Sequence, residues 1–257
     1  MTTALIGYTG FVGGILSRHT RFDDLYRSTN IEDIRGKSYE LIVSAGVSSL
    51  KWKANQEPGA DRQAILKLMD ALRHVKARTF VLISTIDVYD NPVGVDEGSP
   101  IAPNRMMPYG RNRWELEQFV RERFASMIIR LPNLFGPGLK KNIIYDLLHD
   151  HNVNQIHSGT VLQWYSTENL WADLERARQH RLALLNIATE PWPTMELARD
   201  MFGKSLPASP QPAPHYDFRT RHSGLWGKSG PYLYSKNEVS QELIRFVEQE
   251  RSNSIVR

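Results

Sequence analysis

The most constraining feature of the sequence is a set of three glycines, spaced three residues apart, close to the N-terminus. The glycines stand where a predicted strand passes into a predicted helix. The apolar run Thr3–Tyr8 predicts a buried strand, and apolar spacing over Phe11–His19 predicts a helix. Gly7 lies near the end of the first segment, Gly10 between the two, and Gly13 in the first turn of the second. Glycine allows a strand to turn tightly into a helix while the two backbones stay in contact. Amide groups at such a helix N-terminus attract phosphate, so this turn favours dinucleotide binding over a plain turn.

Strands and helices alternate along the first half of the chain. Apolar runs predict further strands at Leu25–Thr29, Leu41–Ala45, Thr79–Ser84 and Ser126–Arg130. Helical spacing predicts helices at Ala60–Arg73 and Trp114–Phe124. Uninterrupted apolar strands separated by helices are typical of a parallel sheet covered on both faces. We therefore predict an α/β fold, a Rossmann-type doubly wound parallel sheet with a smaller C-terminal substrate lobe.

The pattern changes after Gly138. Apolar spacing predicts four helices, at Asn142–Leu148, Leu170–Arg178, Met195–Phe202 and Glu238–Glu250. It also predicts one strand, Ala183–Ile187. The density of prolines in Pro207–Pro214 predicts an extended loop. We predict a dinucleotide-binding core over residues 1–138 and a substrate lobe over 139–257, from which a strand and a helix return to the core.

Composition excludes several classes of protein. The chain has no cysteine, which rules out disulfides and cysteine metal sites and favours a cytoplasmic location. Its net charge of +4 comes from basic residues mixed with acidic ones, so we expect a solvated surface and no nucleic-acid partner. Short apolar runs and an immediate first strand predict neither a membrane span nor a signal peptide. The eight histidines show no metal-ligand spacing, and we expect no metal.

The residues around the end of the second predicted strand bear on the choice between NADP and NAD. Leu25–Asn30 contains no acidic residue to accept a ribose 2′-hydroxyl, whereas Arg27 and Ser28 offer contacts to a 2′-phosphate. This favours NADP, with NAD and an exposed surface arginine as alternatives.

Several further segments stand in an order shared with one known family. They are Gly7–Gly13, Glu40–Gly46, Ser84–Tyr89, Pro108–Gly110, Arg130–Gly138, and Asn186–Ala188 with Thr194–Ala198. With them the chain resembles the extended short-chain dehydrogenases/reductases, which include sugar-nucleotide epimerases, dehydratases and 4-ketoreductases. The resemblance covers nearly the whole chain and implies an NAD(P)-dependent oxidoreductase or epimerase. Its substrate would be a polar carbonyl or carbinol compound, such as a sugar nucleotide or modified sugar, and a homodimer would also resemble the family.

The resemblance assigns catalytic roles to three residues. Thr85 takes the position of the catalytic Ser or Thr, which hydrogen-bonds the substrate carbonyl. Tyr109 takes that of the tyrosine that exchanges a proton while hydride moves at the nicotinamide. The family's lysine, four residues later, is Arg113 here, which would bind the cofactor ribose and lower the tyrosine pKa from about 10. Because a guanidinium does not replace an ammonium group conservatively, an active reductase, a slow enzyme and a non-catalytic cofactor-binding sensor or scaffold all stay open.

Candidate contacts extend beyond these three residues. The predicted cofactor-binding positions are Gly7, Thr9, Gly10, Phe11, Val12, Gly13, Arg27, Ser28, Ala45, Gly46, Arg113 and Pro132. The predicted substrate contacts are Asn133, Lys140, Asn142 and Arg221. Arg221 belongs to the basic loop Tyr216–Gly230, for which an exposed loop and a clamp for an anionic ligand are both open.

Two further positions depart from the family's pattern. Asp61 stands where these enzymes commonly have asparagine, and we expect it to act as a negative charge at a helix N-terminus. Leu162–Tyr165 replaces an Arg-Asp-aromatic stretch that helps hold a nucleotide diphosphate, which argues against a standard sugar-nucleotide substrate.

Overall fold

A computed structural model describes residues 2–209 and 212–255 of the chain. The strands in this part of the chain are β1 (Thr3–Ile6), β2 (Asp24–Tyr26), β3 (Ser38–Ser44), β4 (Lys76–Thr85), β5 (Ser126–Leu131), β6 (Asn133–Phe135), β7 (Val161–Leu162), β8 (Trp164–Ser166), β9 (Leu184–Asn186) and β10 (Trp192–Pro193). The α-helices are α1 (Phe11–His19), α2 (Lys51–Gln56), α3 (Pro58–Leu72), α4 (Pro108–Arg123), α5 (Ile143–Leu148), α6 (Leu170–Gln179), α7 (Thr194–Phe202) and α8 (Lys236–Ile255). No helix in these two ranges is both long and apolar enough to cross a lipid bilayer.

Six strands form one parallel sheet in the order β2-β1-β3-β4-β5-β9. From β1 the chain passes to β2 on one side and then crosses to β3 on the other side of β1. All carboxyl ends of these parallel strands lie at one edge, and a ligand site is expected where the strand order reverses, between β1 and β3. The predicted Rossmann-type α/β fold is confirmed.

Apolar side chains from the sheet and its helices form the core of this part of the molecule. Phe80, Leu82 and Ile128 of the central strands are almost completely buried. They belong to one cluster with Ile65 and Leu72, which lie along the apolar stripe of α3. Each such side chain contributes about 1.5–3 kcal/mol through its removal from water.

Two element boundaries differ from the sequence prediction for local reasons. The predicted strand Leu25–Thr29 ends at Tyr26 because the Asn30 side chain folds the chain back. Its Oδ1 accepts the Arg27 amide hydrogen at 2.7 Å, and its Nδ2 donates to the Leu25 carbonyl at 3.1 Å.

The predicted helix Trp114–Phe124 begins six residues earlier, at Pro108. Proline is well suited to the first turn of a helix, where its missing amide hydrogen is not needed. The early start places Tyr109 and Arg113 on the same helix, one turn apart.

The chain divides into two compact units by its internal contacts. The described residues of the first, the sheet unit, are those up to Asn91, Gly98–Leu131 and Leu170–Asn186. Those of the second, the C-terminal unit, are Pro92–Glu97, Pro132–Asn169 and those from Ile187 onward. Apart from Pro92–Glu97, the chain first enters the C-terminal unit at Pro132, whereas the sequence analysis predicts a boundary after residue 138.

The C-terminal unit contains two small sheets, β6 with β8 and β7 with β10. Between β7 and β8, the fully buried Gln163 donates to the Thr189 and Phe218 carbonyls and accepts the Phe218 amide hydrogen. Residues 207–209 and 212–214 belong to no helix or strand, as predicted for the proline-dense segment, while Pro210 and Gln211 lie outside the described residues.

Candidate active site

The glycine turn has the geometry that the sequence predicts. Gly7 has a φ of +89°, and a Cβ atom there would lie 2.5 Å from the Ala45 carbonyl oxygen. A Cβ atom on Gly13 would lie 2.0 Å from the Gly7 carbonyl oxygen. The amide hydrogen of Gly7 also bonds to the Tyr26 carbonyl at 2.7 Å, which ties the turn to β2. Larger side chains would therefore separate the end of β1 from the start of α1.

The N-terminus of α1 fits a diphosphate group. Gly10 is the N-cap and is exposed, as is Thr9, and the first turn of the helix contains no acidic residue and no side-chain cap. Gly14 is the residue whose amide hydrogen closes the first turn, on the Gly10 carbonyl at 2.8 Å. The amide groups of Phe11 and Val12 precede that bond and have no acceptor within the helix. Together with the helix dipole they favour an anion.

The other predicted cofactor positions lie at strand ends of the same edge. Ala45 and Gly46 follow β3, and a Cβ atom on Gly46 would lie 2.8 Å from Ile6 Cγ2. Arg27 and Ser28 directly follow β2 and are exposed. Because β2 and β3 flank β1, parallel pairing places both pairs of residues beside the glycine turn. The NADP preference stays a prediction.

Thr85 ends β4 and caps a short 3-10 helix, Ile86–Val88. Its Oγ1 accepts the Asp87 amide hydrogen at 3.2 Å and donates to Asp87 Oδ2 at 3.3 Å. The hydroxyl group is therefore fixed at the carboxyl edge of the sheet, with a carboxylate beside it.

Tyr109 is the second residue of α4 and is 9% exposed. Its amide hydrogen bonds to Asn55 Oδ1 at 2.9 Å. A Cβ atom on the following residue, Gly110, would lie 1.9 Å from the Asp87 carbonyl oxygen, so α4 starts in direct contact with the segment that carries Thr85. The start of α4, with Tyr109, thus packs against the segment after β4, although Thr85 and Tyr109 are 24 positions apart in the sequence.

Arg113 is held almost entirely by protein groups. Its Nη1 donates to Asp61 Oδ2 at 2.5 Å and to the Tyr109 carbonyl at 3.1 Å. Its Nη2 donates to Asp61 Oδ1 at 2.9 Å and to the Ser48 carbonyl at 2.6 Å. The guanidinium carbon also lies 3.8 Å from the centre of the Tyr109 ring. Of the five N–H donors of an arginine, these bonds engage the four on Nη1 and Nη2, which leaves Nε for the predicted ribose contact.

Asp61 has a larger role than the sequence analysis assigned to it. It lies in the first turn of α3, as expected for a helix-terminal charge. Its carboxylate also forms the bidentate pair with Arg113 and accepts a hydrogen bond from Asn112 at 2.8 Å. Burial by itself raises the pKa of Asp61, but the hydrogen bonds from Arg113 and Asn112 outweigh it and keep that pKa below its ordinary value. Two departures from the family pattern, at positions 61 and 113, are thus partners, and their joint occurrence is the sequence signal for the pair.

The pKa of Tyr109 lies above its ordinary value, opposite to the direction expected from Arg113 alone. Burial of the phenol is the main cause. The positive charges of Arg113 and Lys51 act to lower this pKa, while the negative charge of Asp87 adds to its rise. The expected effect of Arg113 is therefore present, but burial is stronger.

Lys51 is a site residue that the sequence analysis missed. It begins α2, a six-residue polar helix too short to show a periodic pattern. Its Nζ forms an ion pair with Asp87 Oδ1 at 2.6 Å. The signal available in the sequence is a lysine shortly after the third strand of the sheet.

A second buried ion pair lies within the sheet unit. Arg130 on β5 donates to both carboxylate oxygens of Glu117 on α4, at 3.0 and 2.6 Å. Ser84 donates to the same carboxylate at 2.6 Å, and Arg130 Nη1 donates to the Tyr89 hydroxyl at 2.8 Å. Ser84 thus joins β4 to α4 through Glu117, and Tyr89 is bonded to β5 through Arg130.

The predicted substrate residues lie in the C-terminal unit, as does Pro132. Asn133 donates to the Gln163 carbonyl at 3.3 Å. Asn142 caps α5, accepting the Tyr145 amide hydrogen at 3.0 Å, and Lys140 is exposed. Their roles toward a substrate stay predictions.

Arg221 is held by acidic residues of its own unit. Its Nε pairs with Asp96 Oδ2 at 2.7 Å, and its amide hydrogen bonds to Glu97 at 2.9 Å. In the same basic loop, Lys228 pairs with Glu238 at 2.5 Å. These contacts give the loop a structural role that the sequence analysis did not anticipate.

Comparison with known structures shows the fold. The UDP-glucose 4-epimerase of Thermotoga maritima, determined with UDP-glucose, matches with 15% identity over 98% of this chain and 99% of its own, with a TM-score of 0.72. The dTDP-4-dehydrorhamnose reductase of Bacillus anthracis, in complex with NADP, matches with 17% identity over 96% and 99% of the two chains and a TM-score of 0.73. A double mutant of the dTDP-glucose 4,6-dehydratase of Streptomyces venezuelae, with NAD bound, matches with 16% identity over 98% of each chain and a TM-score of 0.73.

Sequence comparison shows the family. No curated protein sequence matches this chain. A sequence profile described as the NAD dependent epimerase/dehydratase family matches residues 22–182, more than half of the chain. The matched range includes Thr85, Tyr109 and Arg113, while the glycine turn precedes it. This chain therefore belongs to the NAD-dependent epimerase/dehydratase family.

Proposed function

We propose that this protein is an NAD(P)-dependent oxidoreductase or epimerase that acts by hydride transfer on a polar carbonyl or carbinol substrate. The observation that supports the proposal is the close approach of Gly110, the residue after Tyr109, to Asp87, whose carboxylate accepts the Thr85 hydroxyl hydrogen at the carboxyl edge of the sheet. A hydroxyl donor next to a phenol is the arrangement needed to orient a carbonyl and exchange a proton with its oxygen.

The described residues fit a nicotinamide dinucleotide. The amide groups at the start of α1 would hold its diphosphate, and Gly7 and Gly46 let the ends of β1 and β3 pack closely beside that helix N-terminus. Arg27 and Ser28 would meet the 2′-phosphate of NADP. When bound, the nicotinamide ring donates or accepts hydride at its C4 atom.

Each protein group has a defined task in this proposal. The Thr85 hydroxyl would turn its hydrogen from Asp87 to the substrate oxygen and hold that oxygen in place. The Tyr109 phenol would give its proton to the developing alkoxide, or accept one in the reverse direction. Arg113 positions the Tyr109 ring through stacking and through the bond to the Tyr109 carbonyl.

The similar structures support a sugar nucleotide or modified sugar as the substrate class. Two of them were determined with UDP-glucose, the Thermotoga maritima epimerase and MoeE5. In this chain Leu162–Tyr165 replaces the Arg-Asp-aromatic stretch with which the family holds a nucleotide diphosphate. Within it, the buried Gln163 side chain already donates hydrogen bonds to the Thr189 and Phe218 carbonyl groups. This favours a modified sugar over a standard sugar nucleotide.

Two observations favour a second function, a cofactor-binding sensor or scaffold without catalysis. The Nη1 and Nη2 donors of Arg113 are bonded to protein groups, and the pKa of Tyr109 is raised. Both features would slow proton exchange at Tyr109.

The experiment begins with titration by NADPH and NADH, followed by nucleotide fluorescence. Tyr109→Phe should then lower turnover on a panel of carbonyl sugars about 10²–10⁴-fold, since a general acid is lost, while the cofactor Kd changes less than about twofold. Tyr145→Phe, in the C-terminal unit, is the matched control and should keep full turnover.

The outcomes separate the two functions. Saturable nucleotide binding with no turnover in the wild type or in Arg113→Lys would support the sensor. Unchanged turnover in Tyr109→Phe would refute the assigned acid, and absence of nucleotide binding at millimolar concentration would refute both functions.

A further inference from the structure

We propose that the Lys51–Asp87 ion pair adjusts the proton affinity of Tyr109, its two charges acting in opposite directions and in addition to the charge of Arg113. The catalytic consequence of this pair rests on the function proposed above. In that role Lys51 and Asp87 are positioning residues, because they act through Tyr109.

One face of α2 is attached to both elements that carry the candidate catalytic residues. Lys51 and Asn55 are four residues apart on this helix and therefore lie on the same side of it. Asn55 Oδ1 accepts the Tyr109 amide hydrogen at 2.9 Å, and Lys51 Nζ lies 2.6 Å from Asp87 Oδ1. The ammonium group is thereby fixed beside the start of α4.

Asp87 connects the ammonium group to Thr85 and to α4. One carboxylate oxygen pairs with Lys51, and the other accepts the Thr85 hydroxyl hydrogen at 3.3 Å. The backbone carbonyl of Asp87 is the atom against which Gly110 packs. Because the Lys51 side chain is 44% exposed, its charge can be changed without opening the core.

Arg113 also acts to lower the pKa of Tyr109, and more strongly than Lys51, but its own charge lies in a closed, buried pair. Its guanidinium group and the Asp61 carboxylate form a bidentate pair with side-chain exposures of only 5% and 8%. Among the described residues, the charged groups around the start of α4 include this pair, from α4 and α3, and the Lys51–Asp87 pair, from α2 and the 3-10 helix. Of the two pairs, only the second is open to solvent and to change.

The two members of the pair act on Tyr109 in opposite directions. A positive charge favours the phenolate, and a negative charge favours the neutral phenol. Removal of Lys51 should raise the pKa of Tyr109, and removal of the Asp87 charge should lower it. A structural role for either residue predicts no such opposition.

The experiment measures the titration of Tyr109 directly. The full chain is produced with a ring-fluorinated tyrosine, whose greater acidity brings the titration below the pH at which the fold is lost, and is followed by ¹⁹F NMR. The Tyr109→Phe variant identifies the resonance. Lys51→Met should raise the pKa by about 0.5–1 unit, Asp87→Asn should lower it by a similar amount, and the double variant should return close to the wild type.

Two controls sharpen the test. Lys51→Arg, which keeps the charge, should retain the wild-type pKa. Lys53→Met removes an exposed charge two residues along the same helix, on another face, and should leave the pKa unchanged. Equal shifts in Lys51→Met and Lys53→Met, or shifts of the same sign in Lys51→Met and Asp87→Asn, would overturn the proposal.

The NMR titration needs neither substrate nor cofactor, so its result is independent of the proposed function. If nucleotide binding fails while the opposed shifts are seen, the function is refuted and the electrostatic control stands. Once a substrate is known, kcat can be measured as a function of pH. The alkaline limb of this pH profile should move with the pKa of Tyr109 in each variant, while KM stays unchanged.

Discussion

At the scale of single residues, the two departures from the family pattern at positions 61 and 113 form one buried ion pair. A buried arginine is costly unless its charge is paired and its donors are bonded. Asp61 provides both, and the Ser48 and Tyr109 carbonyls take the remaining Nη donors. The pair thereby fixes the Tyr109 ring, on which the guanidinium group lies.

Loss of the Asp61 carboxylate should destabilise the protein strongly. Asp61→Ala leaves the Arg113 charge buried and unpaired, and we expect a loss of about 3–5 kcal/mol in the free energy of unfolding. Glu115→Ala, which removes an acid from the exposed pair with Arg62, should cost less than about 1 kcal/mol. Urea unfolding followed by circular dichroism measures the free energy of unfolding of both variants. Equal losses in the two variants would show that the buried pair contributes no more to stability than the exposed one.

At the scale of elements, the contact between the glycine turn and α1 sets the position of the helix N-terminus. Gly13 packs against the Gly7 carbonyl so closely that no side chain fits between them. A Cβ atom on Gly14, one residue further, would make an ordinary van der Waals contact, 3.8 Å from the Tyr8 carbonyl oxygen. The two adjacent glycines therefore have different reasons to be present.

Alanine substitutions at these two positions should have opposite effects. Gly13→Ala would push α1 away from β1, so we expect a loss of stability and at least a tenfold weaker nucleotide Kd. Gly14→Ala should stabilise the protein by up to about 1 kcal/mol, because alanine has the better helix propensity. Thermal unfolding and nucleotide titration test both, and a stable, tightly binding Gly13→Ala variant would contradict the geometry.

At the scale of the whole molecule, carboxylates with lowered pKa values occur in both units. In the sheet unit, hydrogen bonds from Tyr39 and Lys37 lower the pKa of Asp24, and Asp61 is likewise shifted downward. In the C-terminal unit, Lys228 and the Ser235 amide group lower the pKa of Glu238 to about 2. Each such group stabilises the folded state above its unfolded pKa of about 4, and that contribution is lost as the pH falls through the folded value.

The free energy of unfolding should therefore be nearly constant from pH 7 to about pH 5 and then fall toward pH 2. Glu238→Gln should reduce the fall between about pH 4.5 and pH 2. Glu248→Gln, at an exposed position on the same helix, should leave the profile unchanged. Urea unfolding at a series of pH values checks this, and identical slopes for the wild type and Glu238→Gln would contradict it. The size of the effect is limited by solvent screening, because the Glu238 side chain is 40% exposed.

The resemblance to the family supplies the candidate pair Thr85 and Tyr109, which stays a prediction, whereas the sequence by itself determined the parallel sheet of Rossmann type and the glycine turn. These features are local: apolar runs mark buried parallel strands, and glycines mark positions where no Cβ atom fits. The helix α1 was predicted to the residue for the same reason.

Tertiary structure alone decided how the charges near Tyr109 are paired. Asp61 and Arg113 are 52 residues apart, and Lys51 and Asp87 are 36 apart, so no local pattern relates the members of either pair. The short polar helix α2 has no periodic signal, yet its hydrogen bond to the Tyr109 amide group places Lys51 beside the start of α4. Electrostatic effects depend on distance and burial, which exist only once the sheet has brought these segments together.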